Sequence, residues 1–217
     1  MSLRTRLRLL GAAAVCNAAI GTSSAAQIIR VPSSDASDRP IGIQAHVGYF
    51  QTTDRVDGQS GALWAFGEAF QYRLGVDFGL RSGSLGVTGT IATVPVAFSS
   101  APGADGEIQF RQVMATFRSP EARVFHQLLE VSAGWAQWTN YSGEAVLSSE
   151  ESKPRNALSI VIGYGFAFPL GERAAVTLVQ DAGTTIGSKE GLPAGARRSQ
   201  TQYATRLGLR YRLRGGR

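Results

Sequence analysis

The stretch Ala157–Arg173, ALSIVIGYGFAFPLGER, alternates between two kinds of residue. Leu158, Ile160, Ile162, Tyr164, Phe166 and Phe168 are large and apolar, whereas Ala157, Ser159, Val161, Gly163, Gly165 and Ala167 are mostly small. A period of two places these sets on opposite faces of one β-strand. In a soluble sandwich the second face would meet water and carry Lys, Glu, Thr or Gln. Gly and Ala cover such a face poorly, and Gly weakens a strand interior. They suit the inside of a narrow barrel, where eight strands leave a space just wide enough for side chains to fill. The large face then meets lipid, which accepts Leu, Ile and Phe without a partner layer.

The same grammar recurs from Ile41 onward. Ile41, Ile43, Ala45, Val47 and Tyr49 oppose Gly42, Gln44, His46 and Gly48. In ALWAFGEAFQYRL (62–74), Trp64, Phe66, Phe70, Tyr72 and Leu74 share a side. Val76, Phe78 and Leu80 oppose Asp77, Gly79 and Arg81 in the next segment. IQFRQVMATF (108–117) is less regular. Phe125, Leu129, Val131 and Trp135 follow, then the opening stretch, then AVTLVQDAG (175–183). Last comes TQYATRLGLRYRL (201–213), with Tyr203, Leu207, Leu209, Tyr211 and Leu213 on one side. Eight strands are expected. Tyr49, Trp64, Tyr72, Trp135, Phe168 and Tyr211 fit interfacial aromatic girdles.

Compact connections are expected at YRLGVD, RSPEAR and FPLGER, and longer polar ones between the other strand pairs. This alternation describes an all-β, eight-stranded antiparallel up-and-down transmembrane β-barrel with short periplasmic turns and long extracellular loops. A spanning helix is excluded for Ser82–Ala104, which is long and uncharged but broken by Gly, Pro, Ser and Thr. Within it, LGVTGTIATVPVAF could extend the third strand or form an extra hairpin. Two residues resist the pattern: Glu68 and Gln112 fall on the lipid face, and a bulge at Gly67 would bring Glu68 inside.

The first residues carry Arg4, Arg6 and Arg8, then a short apolar run from Leu9 to Ile20, then Ser24-Ala25-Ala26. This is the layout of a secretory signal peptide over residues 1–26, too short to anchor in a membrane. Cys16, the only cysteine, lies inside it, so the exported chain would have no thiol or disulfide. Losing three of the 22 basic residues leaves 19 against 16 acidic ones, too even and too scattered for nucleic acid. Residues 27–40 read as a flexible lead-in, 41–213 as the barrel and 214–217 as a C-terminal tail.

With exported leader, eight alternating strands and the closing segment RLGLRYRL, the chain resembles the small eight-stranded outer-membrane β-barrel superfamily (OmpA/OmpX/OmpW-like). Gly208, Leu209, Tyr211 and Leu213 resemble its C-terminal assembly signal, departing from it by a terminal Leu and the RGGR tail. The resemblance implies an outer-membrane location, outer-membrane lipid around the barrel and the barrel-assembly machinery as a partner during biogenesis. It carries no functional residues over. The expectation is a monomer with a structural or surface-interaction role and an extracellular ligand that the sequence does not identify. The alternatives are a small pore or conduit for apolar molecules, and a soluble lipocalin-like periplasmic barrel.

No catalytic set is visible, and no cofactor or metal is indicated. There is no nucleophile elbow, phosphate-binding loop or dinucleotide fingerprint. His46 and His126 fall on inward faces without a second ligand at metal spacing. Lipid A deacylases of this barrel class use a His and a Ser two apart, and neither histidine here is followed that way. A lipid-modifying enzyme is therefore the lowest-ranked reading. Asp77, Arg81, Arg111, Glu130, Asp181, Arg206 and Arg210 fall inward and are expected to pair across the lumen as an ionic plug, because an unpaired buried charge is costly. The same groups would otherwise line a narrow pore.

Overall fold

The computed structural model describes residues 40–57, 61–99, 106–120, 122, 124–144, 153–188 and 197–213. The expected leader (1–26), nearly all of the lead-in and the tail 214–217 lie outside these residues. The described chain forms ten strands and no helix. They are β1 (Ile41–Thr52), β2 (Arg55–Val56), β3 (Leu63–Phe66), β4 (Ala69–Leu80), β5 (Gly83–Phe98), β6 (Gly106–Arg118), β7 (His126–Gly143), β8 (Arg155–Leu170), β9 (Ala174–Gly187) and β10 (Ser199–Leu213).

Eight of them close a barrel. β1 pairs with β4 and β10, the order runs on through β9, β8, β7 and β6, and a β5–β6 ladder completes the ring. All pairings are antiparallel, so no backbone edge is left unpaired around the wall. β2 and β3 form a small hairpin that adds to β5 beyond the end of β4. At the turn end the strands are joined by residues 81–82, 119–125 and 171–173; at the loop end by 53–68, 99–105, 144–154 and 188–198. Ile41 faces Leu213, so the barrel begins and finishes at the turn end.

Three expectations change. No turn occurs at YRLGVD: Phe70, Tyr72, Leu74, Val76, Phe78 and Leu80 alternate without a phase break along β4, and Gly75 lies inside the strand. The chain reverses instead at Leu80–Gly83, where Gly83 has φ +145° and a Cβ would meet the Arg118 carbonyl. The segment from Gly83 to Phe98 is accordingly a wall strand. The total of eight stands because β4 spans parts of two expected strands and β5 adds one.

The third change concerns facing. Ile108, Phe110, Gln112 and Met114 of β6 point inward and are buried, while Arg111, Val113 and Phe117 point out. Trp64 is 0 % exposed and not a girdle residue. The phase does switch between β3 and β4, but Glu68 is not inside. It stands exposed between the two strands and accepts a hydrogen bond from Gln51. The physical reason is common to β3 and β6: at the loop end the barrel interior is itself apolar.

Outside, a continuous apolar belt is formed by residues such as Phe70 (67 % exposed), Leu74, Val87, Val131, Ile162, Leu178 and Leu207. Leaving so much large apolar surface uncovered is unfavourable in water and appropriate in hydrocarbon.

Candidate functional site: the barrel interior

Among the described residues, the inward side chains form three layers. Nearest the turn end is a charged layer built on β4, β6, β7, β9 and β10. Glu130 (1 % exposed) is at its centre. Its Oε1 accepts from Arg118 Nε at 2.8 Å, its Oε2 accepts from Arg206 Nη2, and Arg73 Nη2 lies 3.9 Å away. Arg206 also grips Asp181 with both prongs, Nε to Oδ2 at 2.7 Å and Nη2 to Oδ1 at 3.0 Å. Asp77 takes the matching fork from Arg210, with Nε to Oδ2 at 3.0 Å. Such bidentate geometry is the strong form of the interaction.

Arg73 connects this layer to hydroxyls, donating to Thr116 and Ser132 at 3.2 Å each, and Arg118 donates to Gln44. Four arginines thus face three carboxylates among the described residues, and every one of the seven is buried. Of the expected plug residues, Asp77, Glu130, Asp181, Arg206 and Arg210 are brought together here. Arg81 and Arg111 are not: Arg81 is exposed in the β4–β5 turn, and Arg111 points outward and bonds to Gln109. Arg73 and Arg118 take their places.

The small residues have a specific use in this layer. A Cβ on Gly208 would lie 1.8 Å from His46 Cδ2, and one on Gly163 would lie 2.5 Å from Asp181 Oδ1. The glycines are seats for the side chains opposite. His46 reaches Thr177 Oγ1 at 3.1 Å and meets no second metal-binding group. His126 bonds to the Val124 carbonyl at the turn end. Among the described residues no cluster of His, Cys, Asp or Glu could hold a metal ion. The other segment residues, Leu209, Tyr211 and Leu213, point outward on β10 into the belt.

The middle layer is uncharged and polar. Gln112 Nε2 donates to Ser159 Oγ at 2.8 Å and to Gln202 Oε1 at 3.1 Å, and Gln202 Nε2 donates to the same Ser159 oxygen. A cavity of about 10 Å³ remains beside Gln71, Arg73, Thr90 and Gln112, about the space of one water.

The loop-end layer is apolar. Phe50 stacks on Phe110 (5.0 Å), Phe110 packs on Trp138 (4.4 Å) and Trp138 on Phe66 (4.6 Å). Alanines 69, 92, 136, 157 and 204 leave room for these rings. The β2–β3 hairpin places Trp64 against Phe98 (5.3 Å) at this end. Asp57 (1 % exposed) is held by Arg155 of β8, and the guanidinium groups of Arg55 and Arg155 lie 5.5 and 5.8 Å from the Trp64 ring. Burial draws the Arg55 guanidinium below its ordinary pKa, with Asp57 pulling it back up.

A closed antiparallel ring of eight strands, apolar outside and packed with paired charges and amides inside, has the fold of the small outer-membrane β-barrels. Comparison with solved structures agrees. The chain superposes on Neisserial surface protein A (NspA) with a TM-score of 0.55 at 9 % identity, covering 80 % of this chain and 97 % of that one. Ail, the attachment invasion locus protein of Yersinia pestis, in complex with the heparin analogue sucrose octasulfate, matches at TM-score 0.43 and 16 % identity over 81 % and 98 % of the two chains. The outer-membrane enzyme PagL matches at 0.36 and 16 % over 77 % and 97 %. No protein-family model matches the sequence, and no curated protein matches it either.

Proposed function

We propose that the protein is a closed outer-membrane barrel that serves a structural or surface-interaction role through its loop end. The turn end, where the barrel starts and finishes, faces the periplasm, and the hairpin-capped end faces outward. The reading is supported by the side chains inside the wall: among the described residues an ion-paired layer, an amide layer and an aromatic layer each cross the lumen, and the cavity beside Gln71, Arg73, Thr90 and Gln112 is about 10 Å³. An ion has no continuous aqueous route past such groups. The buried carboxylates are engaged by arginines, which supports a non-enzymatic role for the interior.

The test is conductance in planar bilayers. The intact protein is expected to give no discrete steps, and well-defined steps at moderate voltage would overturn the closed-barrel reading. The outward Leu209, Tyr211 and Leu213 of β10 are proposed to serve as the strand that the assembly machinery reads. Truncation before Leu209 is expected to leave the chain uninserted in cells.

A further inference from the structure

Among the described residues, the middle of the outer belt is apolar except around Gln180. Gln180 on β9 and Thr205 on β10 are direct cross-strand partners. Tyr164 on β8 is opposite Gln180, and Tyr49 on β1 is opposite Thr205. Four side chains with polar ends therefore lie side by side on consecutive strands, with Tyr164 40 % exposed and Gln180 exposed as well. Thr205 donates to Gln180 Oε1. The amide nitrogen of Gln180 reaches only the Asp181 carbonyl, at 3.4 Å, the limit of a hydrogen bond. A primary amide has two N–H donors and an oxygen with two lone pairs, so a donor and an acceptor site remain.

The depth of this group decides what can meet it. Tyr203, in the aromatic row nearer the loop end, pairs with Ala182, two residues along β9 from Gln180. With a rise of ~3.3 Å per residue and strands tilted by ~40°, Gln180 lies roughly 8 Å deeper than Tyr203 along the barrel axis. Val176, Leu178, Leu207 and Leu209 surround the side towards the turn end. Neither water nor lipid headgroups serve a hydrogen bond at that depth, and hydrocarbon has no acceptor. A second protein surface does.

We infer that the β8–β10 face is a homodimer interface inside the membrane, centred on Gln180. A primary amide is complementary to itself, so a two-fold axis beside β9 lets each Gln180 donate to the other. The surface shape agrees: Ala182 lies between Ile162 and Tyr203, its partners on either side, as a small residue between two ridges. Small residues let membrane segments approach closely, and amides join them there. The inference rests on the outer-membrane reading and replaces the expectation of a monomer.

The test uses the full chain, labelled separately with donor and acceptor dyes and reconstituted together in phospholipid vesicles. Energy transfer is expected to persist over a tenfold dilution with lipid. Gln180→Leu and Ala182→Trp are expected to lose most of it. The shift of each variant on SDS gels with and without boiling reports barrel formation separately, so a chain that never forms a barrel fails there and counts against the membrane reading instead. Folded wild-type protein whose transfer falls to that of random mixing, or Gln180→Leu that associates like the wild type, would overturn the interface.

Discussion

Arg155 holds Asp57 with two parallel bonds, Nε to Oδ1 at 2.8 Å and Nη2 to Oδ2 at 3.0 Å, across 98 residues of sequence. The pair fastens the β2–β3 hairpin to the start of β8 and so keeps Trp64 in the mouth of the barrel. Removing one member of a buried pair costs about 3–5 kcal/mol where the other charge is left alone, whereas here Arg55 Nη2, 3.6 Å from Asp57 Oδ1, keeps part of the compensation. Arg155→Met is therefore expected to lower the unfolding free energy by less than that, about 1–3 kcal/mol. It should also shift tryptophan emission to the red as Trp64 meets water, while the heat-dependent gel shift of the barrel remains.

Glu130 is central to the charged layer and Arg111 stands outside it, although the sequence pattern placed both in one network. Glu130→Ala leaves Arg118 and Arg206 facing each other in a buried space. It is expected to cost about 3 kcal/mol or more. Arg81→Ala and Arg111→Ala, at exposed positions, are expected to stay within about 0.5 kcal/mol of the parent. Urea titration in detergent micelles checks the ranking. Equal losses at Glu130 and Arg111 would mean that β6 faces the other way.

How far the sequence could be read follows from these same residues. On β1, β8 and β10 the interior is small or charged and the exterior large and apolar, so the two faces are distinguishable in the sequence. On β6 and β3 the interior at the loop end is a stack of aromatic rings, and a rule that sends large apolar residues to lipid turns Phe110 and Trp64 outward. Periodicity gives the phase of a strand but not the medium on each side. Arg118 lies one residue beyond the end that periodicity gives its strand, and Gly75 carries a turn signal although the alternation of β4 runs through it. The Asp57–Arg155 pair had no local signal, since its members are distant in sequence and meet only when the ring closes. The leader, the organising idea of export, lies outside the described residues.

Gly208 and His46 are register partners on β10 and β1, and the imidazole occupies the space of the missing side chain. Gly208→Ala is expected to cost about 1–3 kcal/mol through overpacking. His46→Ser should recover most of that loss, because it removes the atoms that a Cβ would strike. A double-mutant cycle measured by unfolding in micelles should therefore show a coupling above about 0.5 kcal/mol, as for residues in contact. Additive losses would assign the glycine to backbone flexibility or assembly alone.

Ile160 tests the direction of the belt itself. It points outward on β8, with Ile162 and Leu158 as its neighbours on the same face, and Thr184 opposite on β9. An arginine on the lipid face of a barrel costs about 2–4 kcal/mol near the midplane and about 0–1 kcal/mol near the interfaces. Ile160→Arg, at about the depth of the Tyr203 row, is expected between the two figures at about 1–2 kcal/mol, whereas Leu170→Arg, at the end of β8 beside the turn, is expected near zero. The comparison separates lipid from water, because a soluble barrel with the same strands would be stabilised or unchanged by a charge at either outward position. Refolding yield into thin-bilayer vesicles, followed by the heat-dependent shift on gels, gives the readout. An Ile160→Arg chain that refolds as well as Leu170→Arg would put water, not lipid, against this face.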